Sequence, residues 1–205
     1  MSIPKSHYFE ARPEVASRPR TVPLRVGALD VSLATDRGVF GFRAVDLGTL
    51  ILLREAPRPP ASGVLLDLGC GYGPIAVALG LWSPGASVWA VDVNERAVEL
   101  ARANATAAGA SNVRACLPGE VPAELRFDVI YSNPSVRVGK GPLHALLVEW
   151  LGRLTPSGAC YLVVQRNLGS DSLARWLAEQ GFAVVRLKSK KGYRVLEVRP
   201  PPAGS

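Results

Sequence analysis

Clustered cysteine and histidine residues are missing from this 205-residue chain. Its three cysteines, Cys70, Cys116 and Cys160, are far apart, and the chain contains only two histidines. Disulfide frameworks and zinc sites require several such residues at short, regular spacing. We therefore expect no disulfide, no metal site and a reducing environment.

Long apolar runs are also missing, although 48% of the residues are hydrophobic. The longest candidate, 50–53, is far shorter than the roughly 20 apolar residues that span a membrane. The first residues, MSIPKSHYFEARPE, contain no apolar core of the kind found in signal peptides. The sequence thus predicts a globular, cytoplasmic protein without a membrane segment.

Acidic and basic residues are unevenly distributed in this chain, whose formal net charge is +7. Residues 61–136 include 4 basic and 7 acidic residues, whereas residues 137–205 include 11 basic and 4 acidic ones. A basic flank favours a polyanionic partner such as RNA. The alternative is a generally basic protein that has no such partner.

Apolar strand-like segments alternate with helical segments from residue 64 onward. We predict strands at 64–69, 87–93, 112–117, 127–133, 159–165, 182–188 and 193–198, and helices at 74–82, 94–108, 142–154 and 171–180. This order predicts an α/β, Rossmann-like, doubly wound and mostly parallel seven-stranded sheet that ends in an antiparallel hairpin. Upstream, we predict a hairpin within 24–34, a helix at 46–55 capped by Asp46, and a linker at 56–63.

The first strand of this alternation ends in DLGCGYG, residues 67–73. Gly69, Gly71 and Gly73 let the backbone turn tightly and approach a ligand. The dinucleotide pattern GxGxxG requires a glycine where this chain has Pro74, which disfavours a pyrophosphate-bearing cofactor. Asp67 lies in an apolar strand, so its carboxylate needs either a cationic ligand amine or local backbone N–H groups.

The second strand ends in Asp92, 25 positions after Asp67. A carboxylate there can accept hydrogen bonds from both ribose hydroxyls, while Asn94 caps the next helix at the edge of the same predicted site. With that cap provided by Asn94, we expect the Asp92 carboxylate to be free. An amine and a ribose without a required phosphate describe S-adenosyl-L-methionine. The pattern DxGxGxG followed by Asp92 resembles class I methyltransferases.

The fourth strand ends in Asn133-Pro134. Class I methyltransferases that modify exocyclic amines often carry [N/D/S]-P-P-[F/Y/W] here, and this chain resembles them in part. The resemblance implies that the Asn133 side-chain oxygen and the Pro134 carbonyl accept hydrogen bonds from the target NH2 and place its nitrogen for methyl transfer. Ser135 and Val136 replace the second proline and the stacking aromatic. The alternative reading of Asn-Pro is a plain turn.

Other segments resemble the stand-alone "methyltransferase small" domain relatives of RsmC-type ribosomal RNA guanine-N2 methyltransferases. These segments are HYF (7–9), GVF (38–40), DLGT (46–49), RVGK with a later histidine (137–144) and GYR (192–194). The resemblance implies S-adenosylmethionine-dependent methylation of guanine N2 in small-subunit (16S) rRNA, with Phe40 and Thr49 covering the cofactor. It also implies an N-terminal arm, hairpin and helix at 1–60, a methyltransferase domain at 61–199 and a frayed tail at 200–205.

Two contacts stay open at this stage. The adenine of the cofactor is assigned either to backbone groups around Leu117 or to Glu120. The candidate substrate-binding residues are basic and either follow the Asn-Pro turn or lie on the terminal hairpin: Arg137, Lys140, Lys190, Lys191 and Arg194. Solvated charges without a partner are the alternative at each of these positions.

Two other functions also stay open. The same Asn-Pro hydrogen bonds would serve a methyltransferase acting on a protein glutamine or a small-molecule amine. A degenerate domain that binds RNA and assists assembly without catalysis would keep the fold and the basic flank. The sequence leaves the target nucleotide and the oligomeric state, monomer or homodimer, undetermined.

Overall fold

A computed structural model describes residues 15–135 and 139–201. Within them lie nine strands and five α-helices, numbered in chain order: β1 (Arg20–Val26), β2 (Leu29–Thr35), α1 (Leu47–Glu55), β3 (Ser62–Leu68), α2 (Pro74–Trp82), β4 (Gly85–Val91), α3 (Glu95–Ala107), β5 (Val113–Cys116), β6 (Phe127–Ser132), α4 (Lys140–Leu151), β7 (Leu154–Gln165), α5 (Ser170–Glu179), β8 (Ala183–Lys190) and β9 (Tyr193–Arg199). The predicted HYF segment, Val136, Arg137 and residues 202–205 of the predicted tail lie outside the described residues.

The main sheet has seven strands in the order β5-β4-β3-β6-β7-β9-β8. Neighbouring strands from β5 to β7 run parallel, whereas β9 is antiparallel to both β7 and β8. The strand order reverses at β3, which pairs with β4 on one side and β6 on the other. The predicted fold, including its closing hairpin, is thereby confirmed. Ligands of such sheets bind at this reversal, beyond the carboxyl ends of the strands.

Two apolar cores cover the two faces of this sheet. Helices α1, α2 and α3 pack against one face, and α4 and α5 pack against the other. The central strands are apolar on both faces because both are covered: Leu65 and Leu66 point to opposite cores, and each is fully buried. This packing fixes the carboxyl ends of β3, β4 and β6 relative to one another.

The hairpin β1–β2 forms a separate two-stranded sheet that is attached to α3. Asn104 on α3 makes this attachment: its amide accepts from the Ala34 N–H at 2.7 Å and donates to the carbonyls of Ala34 and Tyr72, each at 2.8 Å. The loop that follows β2 is held by Asn94, which donates to the Gly38 carbonyl at 2.9 Å. The hairpin is therefore fixed to α3, and the loop after it is fixed to Asn94 at the carboxyl end of β4.

Several predicted boundaries are wrong, among them the junction of α4 and β7, the start of β3 and the start of β1, which begins at Arg20 rather than 24. Helix α4 ends at Leu151 rather than 154, because Gly152 follows it and Leu154 already pairs with Phe127 as part of β7. That early part of β7 contains Pro156 and an irregular register, which hid the strand from pattern analysis. Strand β3 also begins at Ser62, inside the predicted linker, where the Asp128 carboxylate accepts from the Val64 N–H at 2.8 Å.

Candidate active site

A cavity opens beyond the carboxyl ends of β3 and β4, where the strand order reverses. Its wall includes the glycine loop after β3, the end of β4, the Asn-Pro turn after β6 and the first turns of α4. Among the predicted residues, it is lined by Phe40, Gly69, Gly71, Asp92, Asn94, Asn133 and Pro134. We call it the cofactor cavity.

Asp67 is completely buried between the end of β3 and the first turn of α2. One of its oxygens, Oδ2, accepts from the Ala76 N–H at 2.9 Å. The other, Oδ1, has no hydrogen-bond partner among the described residues. Burial, with a smaller contribution from the Asp92 charge, raises the pKa of Asp67 to about 8. The local backbone thus provides a hydrogen bond to one of the two carboxylate oxygens. The other oxygen is suited to a ligand cation or to a water that bridges to one.

The three glycines of the DLGCGYG segment have different roles. Gly69 and Gly71 line the cofactor cavity, and Gly71 adopts a φ of +54° while its N–H donates to Asp92. Gly73 also has a positive φ, +87°, but it faces α3: a Cβ there would lie 3.0 Å from the Cβ of Ala101. Gly73 was predicted to bind the cofactor, yet in this structure it allows α2 and α3 to approach each other.

The Asp92 carboxylate is not free, which corrects the expectation from the sequence. Oδ2 accepts from the Gly71 N–H at 2.8 Å, and Oδ1 accepts from the Asn94 N–H at 2.9 Å. Burial raises the pKa of Asp92, and these backbone donors oppose that rise. The Val93 N–H also donates to this carboxylate. Because each carboxylate oxygen accepts about two hydrogen bonds, at least one acceptor position remains. Asp92 therefore shapes the glycine loop and still lines the cavity.

Neighbouring predicted contacts differ in how they reach the cavity. Asn94 lines it, but its side chain is occupied: Oδ1 caps α3 through the Ala97 N–H at 3.2 Å, and Nδ2 holds the Gly38 carbonyl. Leu117 does not line it, whereas the adjacent Pro118 does. Glu120 does not line the cavity either; its Oε2 accepts from the Leu117 N–H at 2.8 Å and lies 3.7 Å from Arg102.

The Asn133 side chain has a single chemically consistent orientation. Its nitrogen Nδ2 donates to Asp46 Oδ2 at 2.8 Å and to Thr49 Oγ1 at 3.0 Å. Because an ionised carboxylate only accepts hydrogen bonds, the amide atom beside Asp46 must be the nitrogen. Both amide protons are thereby held on the α1 side, and the oxygen Oδ1 remains for another donor.

A second cavity lies on the other side of Asn133, between the ends of β6, β7 and β9. Asn133, Pro134, Ser135 and Phe40 line both cavities. The rest of its wall is Asp46, residues 163–165, Leu168 and Tyr193. Phe40 is 46% exposed, so it does not pack in the hydrophobic core. We call this space the acceptor cavity, because it shares four wall residues with the cofactor cavity and so adjoins it.

The basic residues predicted to bind substrate are partly paired within the protein. Lys190 forms an ion pair with Glu55, and Lys188 lies 4.0 Å from the same carboxylate. Arg194 forms an ion pair with Asp171, and its side chain is only 13% exposed. Lys140 and Lys191 are exposed at the start of α4 and at the β8–β9 turn.

Some residues of the site were not predicted from the sequence. Asp46 was identified only as a helix cap, and its contact with Asn133 joins residues 87 positions apart. Gln165 and Pro118 line the cavities without belonging to any recognised motif. No local pattern marks such residues, because their positions depend on which strand ends are neighbours in the sheet.

The described residues contain no group of three or more His, Cys, Asp or Glu side chains that could hold a metal ion. None of the helices among them is both long and apolar enough to cross a membrane.

The sheet order and the site at its reversal define a Rossmann-like, S-adenosylmethionine-dependent methyltransferase. The chain belongs to the methyltransferase small domain family, whose model matches residues 30–197. The residues present fit the donor: Gly69, Gly71 and Asp92 line the cofactor cavity. Asp67 is not part of that lining, but it lies two residues before Gly69, and its buried, unpartnered oxygen suits a water that bridges to the donor amine.

Curated relatives and a solved structure support this assignment. Protein YbxB of Bacillus subtilis (strain 168) is 34% identical over 196 residues, covering 94% of this chain and 98% of that protein. Ribosomal RNA small subunit methyltransferase C of Chromohalobacter salexigens is 31% identical, covering 93% of this chain and 58% of the relative. The T. thermophilus 16S rRNA N2 methyltransferase RsmC, solved with AdoMet and guanosine, superimposes with a TM-score of 0.75 at 27% identity, covering 92% of this chain and 52% of that one.

Proposed function

We propose that this protein transfers a methyl group from S-adenosylmethionine to guanine N2 in small-subunit (16S) rRNA. The proposal rests mainly on Asn133, which lines both cavities. Its amide nitrogen is held by hydrogen bonds to Asp46 and Thr49, so its amide orientation is fixed. The named relatives that act on small-subunit rRNA support the class of substrate, although this chain spans only 52–58% of two of them.

The donor is held, on this proposal, by residues in and around the cofactor cavity. Asp67 Oδ1 accepts from the donor amine directly or through water, and Asp92 accepts from the ribose with the acceptor capacity that its backbone contacts leave. Phe40, in the loop after β2, covers the cofactor cavity. Thr49 does not line that cavity, and it contributes by accepting a hydrogen bond from Asn133. When bound, S-adenosylmethionine would supply the methyl carbon: the acceptor nitrogen would bond to it, its bond to sulfur would break with both electrons going to sulfur, and the proton lost by the nitrogen would pass to water.

The acceptor amine is held by oxygens on the shared wall. A nucleobase NH2 is a weak nucleophile because its lone pair is conjugated with the ring. Hydrogen bonds to Asn133 Oδ1 and to the Pro134 carbonyl orient this nitrogen and favour its pyramidal form, which is catalysis by position and electrostatics. Phe40 and Tyr193 flank the acceptor cavity and would take the stacking role that Val136 lacks.

A basic concavity near the N-terminal hairpin supports an RNA substrate. It is lined by four arginines together with Pro19 and Phe42: Arg18, Arg20, Arg37 and Arg43. None of these guanidinium groups forms an ion pair with another described residue, and Arg20 lies 5.5 Å from the ring centre of Phe42. The loop carrying Arg37 and Arg43 also carries Phe40, so RNA phosphates bound here would lie next to the acceptor cavity.

The test is to incubate the protein with radiolabelled S-adenosylmethionine and small ribosomal subunits from a strain that lacks it, and to identify the labelled nucleoside by mass spectrometry. We expect N2-methylguanosine from 16S rRNA. Label in a protein glutamine would establish the amide alternative. RNA binding without any label, from protein that binds the cofactor, would establish the assembly-factor alternative.

A further inference from the structure

We infer that Asp46 selects the acceptor base by accepting a hydrogen bond from the ring N–H beside the target amine, which favours guanine over adenine and cytosine. The inference rests on the proposed function and adds to it a residue that reads the base.

The two oxygens of Asp46 have different environments. Oδ2 accepts from the N–H groups of Gly48 at 2.8 Å and Thr49 at 3.4 Å, and from Asn133 Nδ2 at 2.8 Å. Oδ1 has no hydrogen bond or ion pair with any described residue. The side chain is half-buried and lines the acceptor cavity directly beside Asn133. One oxygen thus meets the structural needs of α1 and Asn133, and the second remains for a ligand.

The bases differ in the atom next to their exocyclic amine. In guanine, the N2 amine is followed by N1–H, a donor. In adenine and cytosine, the amine is followed by N1 or N3, an acceptor lone pair. An ionised carboxylate accepts and cannot donate, so it attracts the first arrangement and repels the second. With Asn133 Oδ1 on the amine, Asp46 Oδ1 is the adjacent acceptor in the same cavity.

A capping role alone does not require this carboxylate. Serine and asparagine cap helices about as well as aspartate. The substitution Asp46→Asn retains one oxygen for the cap and for Asn133, and replaces the other with an NH2 donor. The substitution Asp46→Ser retains the cap but is too short to reach both Asn133 and a base. The two variants therefore separate base selection from helix capping.

The experiment first locates the methylated nucleotide in the labelled 16S rRNA, and then uses RNA fragments carrying either guanine or 2-aminopurine at that position. 2-Aminopurine keeps the amine but presents an N1 lone pair in place of N1–H. We expect the wild-type protein to methylate guanine about 10–100-fold faster in kcat/KM, the factor expected for one well-placed base contact. Asp46→Asn should lose this preference or reverse it, and Asp46→Ser should methylate both slowly.

Cofactor affinity and thermal unfolding of both variants serve as controls, and we expect them to stay close to wild type. Equal wild-type rates on the two RNAs would overturn the inference, even if the variants failed to fold. An unchanged preference in folded Asp46→Asn would also overturn it. Failure to label any guanine when small ribosomal subunits are incubated with the protein and radiolabelled S-adenosylmethionine would instead contradict the proposed function, so the two failures are distinguishable.

Discussion

Asp67 shows how a buried carboxylate can signal a ligand. A pKa raised to about 8 means that, from about pH 4 to pH 8, the folded protein binds more protons at this group than the unfolded chain. Its contribution to stability therefore falls as pH rises through this window. A ligand cation beside Oδ1 would favour the ionised form, so ligand binding and proton release are coupled.

We predict that cofactor binding at pH 7 releases a proton from Asp67. Calorimetry in buffers of different ionisation enthalpy measures this release, which should be absent in Asp67→Asn. The same variant should bind the cofactor more weakly. Without ligand at pH 8–9, it should be more stable than wild type by about 1–3 kcal/mol, because a buried, partly unsatisfied carboxylate is removed. Equal proton release by both proteins would mean that the donor amine lies elsewhere.

Asp92 combines a structural and a ligand-facing role. We expect Asp92→Ala to weaken S-adenosylmethionine binding by about 1.5–3 kcal/mol, the range for hydrogen bonds to a charged group, and also to destabilise the fold by loss of its backbone contacts. Asp128→Ala is the matched control, because Asp128 accepts from a backbone N–H at the opposite end of β3. It should lower stability without changing cofactor affinity in titration calorimetry. Equal affinity for wild type and Asp92→Ala would place the ribose elsewhere.

At the scale of the elements, most helices and strands were predictable because each carries a local signal. The alternation of strands and helices could be recognised from the continuous apolar strands, from Pro74 in the first turn of α2 and from Asn94 before α3. The order of these elements predicted that the site lies at the carboxyl ends of the strands. The boundary between α4 and β7 was wrong, because Gly152 and Pro156 lie within one apolar stretch. The hydrogen bonds from Asn133 to Asp46 and Thr49 could not be predicted, since they join segments that are far apart in the sequence and meet only in the folded protein.

The junction of α2 and α3 provides a test of the glycine roles. We predict that Gly73→Ala lowers the free energy of unfolding by about 2–4 kcal/mol, since it combines a positive φ with a Cβ 3.0 Å from Ala101. Gly109→Ala is the control: its φ is +76° and no atom lies within 4 Å of the added Cβ. It should cost only about 1 kcal/mol, from backbone strain alone. Denaturant unfolding measures both, and equal losses would mean that packing against α3 contributes nothing.

For the whole molecule, the distribution of paired and unpaired charge matters more than the net charge. The sequence placed the polyanion-binding surface in the last third of the chain, where its basic excess lies. In the folded protein Lys190 and Arg194 are partly neutralised by Glu55 and Asp171, whereas the guanidinium groups of the arginine concavity by the N-terminal hairpin form no ion pair within residues 15–135 and 139–201. Long-range ion pairs of this kind cannot be inferred from residue counts.

We predict that log affinity for 16S rRNA falls with log salt concentration at a slope of about −3 to −5, as expected for four to six phosphate contacts. Arg20→Ala combined with Arg43→Ala should make the slope shallower by about 1.5–2, because each removes one phosphate contact. Lys190→Ala should change it less, since that ammonium group is already paired. Filter binding at several salt concentrations measures these slopes. An affinity that does not depend on salt would favour a protein or small-molecule substrate.

The central claim, that Asn133 holds the acceptor amine, is tested most directly by single-turnover methylation of small subunits with Asn133→Ala. We predict that the transfer rate falls by about 10²–10³, the loss typical of one preorganised polar group, while cofactor affinity stays within about 1 kcal/mol of wild type. An Asn133→Ala protein that binds the cofactor normally and methylates at the wild-type rate would contradict the account and reduce Asn133-Pro134 to a plain turn.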